Sequence, residues 1–324
     1  MLNPKKFKMA FKIYCKNFDD EKRLDRIKKR YERNKGEIIN IVESNDTDKD
    51  HILLIDLNGI GLNYLLKWKK EVLINGENRV EQLKYVQIVV FYQCIVQELY
   101  KTRYPNMMPE YTFKKVIIAL IHFTMFGWEK EENILYDFIV NHINENRLNI
   151  NELNKHIWFL LELYLQYRGK TICGTNEKLH LVIKEKLHEL KLECKLIPEE
   201  LGIYRKVLEN WSTCTLEGIE ELINKMSLFH STLASEIGQS LEFGDFNYGF
   251  YPFEILFIIH LRKRKGLSVP KEFDDLLMNT PEGKIVIEDT EPYPQWDDLL
   301  QLIDGFYRKN YPEYIPNQYG ELFK

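Results

Sequence analysis

A chain of 324 residues with a formal net charge of −4 lacks the overall positive field expected of a general nucleic-acid binder. Its hydrophobic content of 44%, with 18 Phe, 19 Tyr and 5 Trp, can offset chain entropy and excludes a disordered protein. The length suits one large domain or two ordinary ones.

Charge is unevenly distributed. Residues 1–36 carry 13 Lys/Arg against 5 Asp/Glu, whereas residues 271–300 carry 2 against 9. Solvated faces account for such runs, and so does contact with a charged partner. The five cysteines, at 15, 94, 173, 194 and 214, include no CxxC pair, and an odd number cannot pair completely within one chain. A reducing, cytoplasmic location is the expectation. The N-terminus has no sustained apolar stretch through Asp20 and reads as lacking a secretory signal. Val86–Val96 and Val116–Phe126 are interrupted by Gln87, Gln93, His122 and Thr124 and fall short of the ~18–20 residues of a membrane span.

In chain order, Asp19 and Asp20 are candidate caps for a charged helix to about Val42, with Leu24, Ile27, Tyr31, Ile38 and Ile41 as a narrow inner stripe. A polar turn follows at 43–50. Ile52–Leu73 then reads as a helix bent by Gly59 and Gly61, with a strand at His51–Leu57 as the alternative. Asn75-Gly76 marks a turn before a helix at about 79–100. Pro105 and Pro109 separate it from further helices at about 110–127, 130–144, 150–168 and 175–193. Pro198 opens a helix to about Trp211, and Thr215 with Glu217 opens another to about Leu241. Helices at 252–264 and 295–309 complete the set, and only Lys284–Glu288 looks strand-like. The fold expected is all-α, an irregular stack of antiparallel helical hairpins with at most one short β segment. The polar stretch at 144–149 suggests regions 1–145 and 146–324, or one continuous domain.

No motif for chemistry is complete. Asp46, Asp48 and Asp50 alternate as at the start of a calcium loop, but His51 stands at the glycine position and Leu57 where a bidentate Glu belongs. Gly59-Ile60-Gly61 and Gly283-Lys284 each lack the rest of a phosphate-binding loop. His180 and His188 could share a helix side, yet Lys184 lies between them. His122 and His260 sit within apolar helices, as core histidines do. The basic run 262–265 suits a helix C-terminus. No metal, cofactor or catalytic residue is expected.

The most informative stretch is Asn247, Tyr248, Gly249, Phe250, Tyr251, Pro252, Phe253 and Glu254, running into Ile255–Ile259. It resembles the Tyr-Gly-Tyr-Trp-x-Phe-Glu signature of bacterial immunity proteins of the PoNi type, which neutralise nuclease toxins delivered to neighbouring cells. Upstream, Tyr204, Trp211 and His230 fall in the order in which that family places an aromatic helix, a Trp and a His. The charged helix 19–42 looks like its entry helix. Two departures are Pro252, in place of a small residue, and the absence of a paired Asp directly after the apolar helix. Lys265, Gly266 and Leu267 are similar to the Arg-Gly-Leu-like turn of another helical family, immunity protein 49, so both families stay open. Core packing around a helix start is the plainer account of the aromatic cluster.

The resemblance implies an inhibitor whose partner is a cognate protein toxin, with no membrane and no direct nucleic-acid contact. An acidic surface would suit a basic nuclease cleft. Asp274, Asp275, Glu288, Asp289, Glu291, Asp297 and Asp298 are the candidate charges, with Tyr293 and Trp296 as aromatic anchors. The alternatives are a helical hydrolase or nuclease whose site assembles in three dimensions, and a peptide-binding scaffold.

Overall fold

The computed structural model describes residues 2–144, 155–169, 201–240 and 242–324. Among these residues the fold is all-α, with eleven α-helices and no strand. The chain divides into two compact units. The first comprises Met1–Asn17 with Val140–Val286, and the second Phe18–Ile139 with Ile287–Lys324. One crossing between units, at 139/140, precedes the polar stretch whose residues from 145 lie outside the described set.

The second unit is built on α2 (Glu21–Ser44), α3 (Asp50–Lys69), α4 (Glu81–Arg103) and α5 (Phe113–Phe126). Their ends follow local chemistry. Asp20 caps α2 by accepting from Arg23 N, and Thr112 caps α5 by accepting from Lys115 N. Asn45 at φ 51° and Gly127 at φ 74° end those two helices in the left-handed conformation. Only Asn34, Ile38 and Ile41 of α2 are buried, a narrow stripe, whereas α4 is buried on nearly every side from Val86 to Gln97.

Helix α3 departs from expectation in one respect. It is continuous α-helix through Gly59 and Gly61, which rules out the strand alternative at 51–57, and it closes in a π-helical turn over Lys70–Ile74. The glycines serve close packing. A Cβ at Gly59 would lie 2.2 Å from Asn34 Nδ2 on α2, and one at Gly61 would lie 3.0 Å from Val89 Cγ1 on α4. They let α3 sit closely between its two neighbours. Helices α6 (Glu129–Asn144) and α11 (Asp298–Asn310) complete the helical elements of this unit, α6 as far as Ile139.

The C-terminal segment is clasped within this unit. Phe323, at φ 56°, places its ring within 5.2–6.3 Å of those of Phe91, Tyr92, Phe123, Trp128 and Tyr293. Buried Glu131 receives two hydrogen bonds, from Phe323 N at 2.7 Å and from Tyr293 Oη at 2.9 Å. Satisfying both carboxylate oxygens makes its burial tolerable.

The first unit contains α1 (Pro4–Asp19) as far as Asn17, α7 (Lys155–Tyr167), α8 (Ile203–Asn210), α9 (Leu216–Ala234) and α10 (Phe253–Arg264). Helix α1 has no counterpart in the sequence reading. Asn3 Oδ1 accepts from Lys5 N and Lys6 N to start it, and Phe7, Ala10 and Tyr14 form its buried stripe. Helix α9 starts at the expected Thr215 cap but ends at Ala234, short of residue 241. Lys284–Glu288 forms no strand: Glu282–Lys284 is a 3₁₀ turn, and beyond it Val286 is exposed. The helix expected at 175–193, with His180 and His188, lies outside the described residues.

Asp56, buried between Arg30, Arg33 and Glu37, has its pKa raised to about 6 by desolvation and then by Glu37. A carboxyl held above its unfolded value of 3.8 favours the fold fully below that pH, and the contribution is lost as pH rises through about 6. Asp56→Asn should therefore stabilise the protein by roughly 1–2 kcal/mol at pH 8, with little gain below about pH 4. Urea unfolding at the two pH values checks this.

Candidate functional site

The residues of the aromatic stretch, with Tyr204, Trp211 and His230, lie in the first unit, whereas the charged helix of the resemblance, α2, belongs to the second. His230 on α9 and Glu254 at the start of α10 hydrogen-bond through Nδ1 and Oε1 at 2.7 Å, and both are essentially excluded from solvent. The other ring nitrogen, Nε2, faces Gly249 O at 2.9 Å. Both ring nitrogens of His230 are thus engaged by oxygen atoms, one from a carboxylate and one from a backbone carbonyl. His156 on α7 approaches the second Glu254 oxygen at 3.8 Å. Phe243 stacks on His230 at 3.6 Å and lies 4.4 Å from His156.

Tyr204 joins the same core, stacked on Phe159 at 4.4 Å and lying 5.7 Å from His156. Trp211 is buried, donates from Nε1 to Gln166 Oε1 at 2.9 Å and is covered by Lys265 at 4.8 Å. The aromatic stretch itself is packed inward. Phe250 meets Phe7, Phe11 and Tyr14 of α1 at 4.9–5.3 Å, while Tyr251 and Phe253 are fully buried. Gly249 is required by close approach, since a Cβ there would lie 2.4 Å from Asp245 O. Chemically, this is a buried polar pair inside an aromatic core, with His156, His230 and Glu254 all essentially excluded from solvent.

Two residues of this core carry little signal in the sequence. His156 gives no sequence signal beyond a histidine in an apolar run. Arg262 stands in the basic run 262–265 but, unlike its neighbours, is buried, and its guanidinium donates to Trp211 O at 2.5 Å, Cys214 O at 3.2 Å and Ser268 O at 3.0 Å. Every oxygen it meets is a backbone carbonyl, which fastens the loop after α8 to the end of α10.

The acidic segment is divided between the units. In the first, Asp274 is exposed, and Asp275 accepts from Ser227 Oγ and from Met278 N at 2.9 Å. In the second, Glu288 and Asp289 are exposed, and Glu288 N donates to Glu291 Oε1 at 2.7 Å. Glu291 also pairs with buried Lys84 at 2.9 Å. Tyr293 is held by Glu131, and its hydroxyl pKa is raised by burial and by that carboxylate. Trp296 is half-buried, its indole donating to Phe323 O at 3.0 Å. Asp297 caps α11, accepting from Leu299 N, Leu300 N and Tyr64 Oη, while Asp298 is exposed on the first turn. The structure thus brings Tyr293, Trp296, Asp297 and Asp298 together at the entry to α11. Tyr64 and Tyr85, stacked at 4.6 Å, adjoin them: Tyr85 Oη donates to Gln295 O.

The remaining candidates are used structurally. Asp46 closes a turn by accepting from Asp48 N and Lys49 N, and Asp50 is fully buried against Arg103 and Tyr311. Among the described residues, no group of three or more His, Cys, Asp or Glu side chains is arranged to hold a metal ion. His122 bonds to Ile118 O, and burial lowers its pKa to about 4.

Compared with family models, curated proteins and solved structures, the chain matches none of them. The geometry of the two regions therefore carries the functional argument.

Replacing His230 by Ala would leave the Glu254 carboxyl buried without its partner. A loss of roughly 3–5 kcal/mol is expected in urea unfolding; a loss below about 1 kcal/mol would mean that the pair does not hold this core together.

Proposed function

We propose that this chain is an immunity-type protein that binds and occludes a protein toxin, one that acts on nucleic acid, and that it works by binding rather than by catalysis. The observation that carries the reading is the His230–Glu254 hydrogen bond. The two residues come from separate parts of the family-like pattern, and a shared fold requires such parts to meet. Tyr204, from a third part, packs into the same core. The reading places the protein in the cytoplasm, where the free thiols of Cys15, Cys94 and Cys214 would stay reduced. No described helix is long and apolar enough to cross a membrane.

The surface best suited to a basic toxin cleft is the entry to α11. Asp298 supplies exposed charge there, and Trp296 supplies an aromatic anchor fixed by its hydrogen bond to the Phe323 carbonyl. A held indole loses little freedom on association. Asp297 contributes to the local field but also caps the helix, so its removal confounds binding with stability.

The test is surface kinetics with the cognate toxin at two salt concentrations. Asp298→Lys should slow association by about tenfold at low salt and lower the melting temperature only slightly, because Asp298 lies in the first turn of α11. Trp296→Ala should mainly speed dissociation. Asp297→Asn, which retains the cap, serves as the matched control for charge. Unchanged rates for Asp298→Lys and Trp296→Ala would remove this surface from the interface.

A further inference from the structure

The second unit has an open groove between α2 and α3 that neither the acidic segment nor the buried cores use. It encloses about 310 Å3, with Leu24, Ile27 and Leu66 as an aliphatic floor and Lys28, Lys67 and Lys70 on its rim. We infer that this groove binds an acidic peptide segment, seating a bulky aliphatic side chain on the floor and carboxylates on the three lysines. The inference goes beyond toxin binding at α11, because its occupant is acidic where that reading requires a basic partner.

Charge supplies the first argument. Lys28, Lys67 and Lys70 are exposed and, among the described residues, none has a carboxylate within ion-pair distance, whereas neighbouring Lys29 is paired with Asp25 at 2.7 Å. Glu32 is the one acid lining the groove, which leaves the lining with a balance of +2 from three lysines and one glutamate. Lys67 is also held in position, its ammonium lying 5.9 Å from the ring centre of Tyr31 and 5.2 Å from that of Tyr64. Ring faces steady a cation without neutralising it, so it stays available to an anion.

Hydrogen bonding supplies the second. Asn63 lines the groove and has no side-chain partner among the described residues, with Nδ2 shielded from solvent. A peptide presents a carbonyl or carboxylate to such a leftover donor, and turning the amide toward it breaks no existing bond.

Other occupants fit less well. A nucleic-acid strand needs an open aromatic face for stacking, yet the groove's Tyr31 already has Lys67 over its ring and the floor is aliphatic. Asp25 and Glu32 also interrupt the basic row of α2. A second copy of the groove would bring the same lysines against these.

Fluorescence anisotropy of the full chain with a labelled Glu-Glu-Leu repeat peptide tests the proposal. Controls are Glu-Glu-Ser and Lys-Lys-Leu repeats and labelled single-stranded DNA of equal length. Saturable binding of the Leu peptide is expected, at least about tenfold weaker for the Ser peptide and absent for the Lys peptide. Lys28→Glu combined with Lys70→Glu, neither of which disturbs the Lys67 ring contacts, should weaken binding about tenfold or more with an unchanged melting temperature. No saturable binding of the Leu peptide, equal affinity for the Ser peptide, tighter binding of DNA, or wild-type affinity in the double variant would each overturn it.

Discussion

A single buried hydrogen bond, from His230 to Glu254, joins α9 to the start of α10 in the first unit. Taking a carboxylate and an imidazole out of water costs several kcal/mol unless each finds a partner. Here each does, and the second imidazole nitrogen is satisfied by the Gly249 carbonyl. That carbonyl is in reach because Gly249 lets the chain fold back tightly on Asp245, and the same turn delivers Phe250 to the face of α1. One polar pair therefore sets where α9, α10 and the aromatic stretch must lie. Arg262 does comparable work at the other end of α10 by tying three carbonyls that no helix uses.

The second unit solves the problem of buried charge differently. Its acids are spread over helix starts and chain crossings: Glu131 receives the C-terminal segment, Glu291 receives Lys84, Asp50 receives Arg103, and Asp297 starts α11. Of the nine acidic residues in 271–300, Glu291 and Asp297 are committed in this way, so the run is not nine units of surface potential. What remains at the α11 entry is a smaller, mixed surface with a fixed indole, better suited to specific docking than to long-range attraction alone.

Much of the helix order could be read directly from the residues, because caps and apolar spacing are local. Asp20, Thr112 and Thr215 mark starts that the structure keeps. Helix α1 was not legible for a physical reason: its five lysines lower the mean hydropathy of the segment, yet Phe7, Ala10 and Tyr14 recur at helical spacing and are buried. Gly59 and Gly61 suggest a bend from sequence, but the close packing they allow depends on Asn34 and Val89, which are distant in sequence. Of the site, the aromatic stretch and His230 were visible as residue types in order. His156 and the sharing of acids between caps and surface were not, since both are set by contacts that a linear pattern does not encode.

The clasp around Phe323 bears on how the chain is made. Glu131 and Phe323 are separated by 192 residues, and the whole 140–286 segment of the first unit is synthesised between them. While the ribosome works through that stretch, the apolar cage of Phe91, Tyr92, Phe123 and Trp128 has no Phe323 to fill it. A nascent chain with such a vacancy is a natural client for chaperones, and its exposure lasts for roughly ten seconds or more at ordinary elongation speeds.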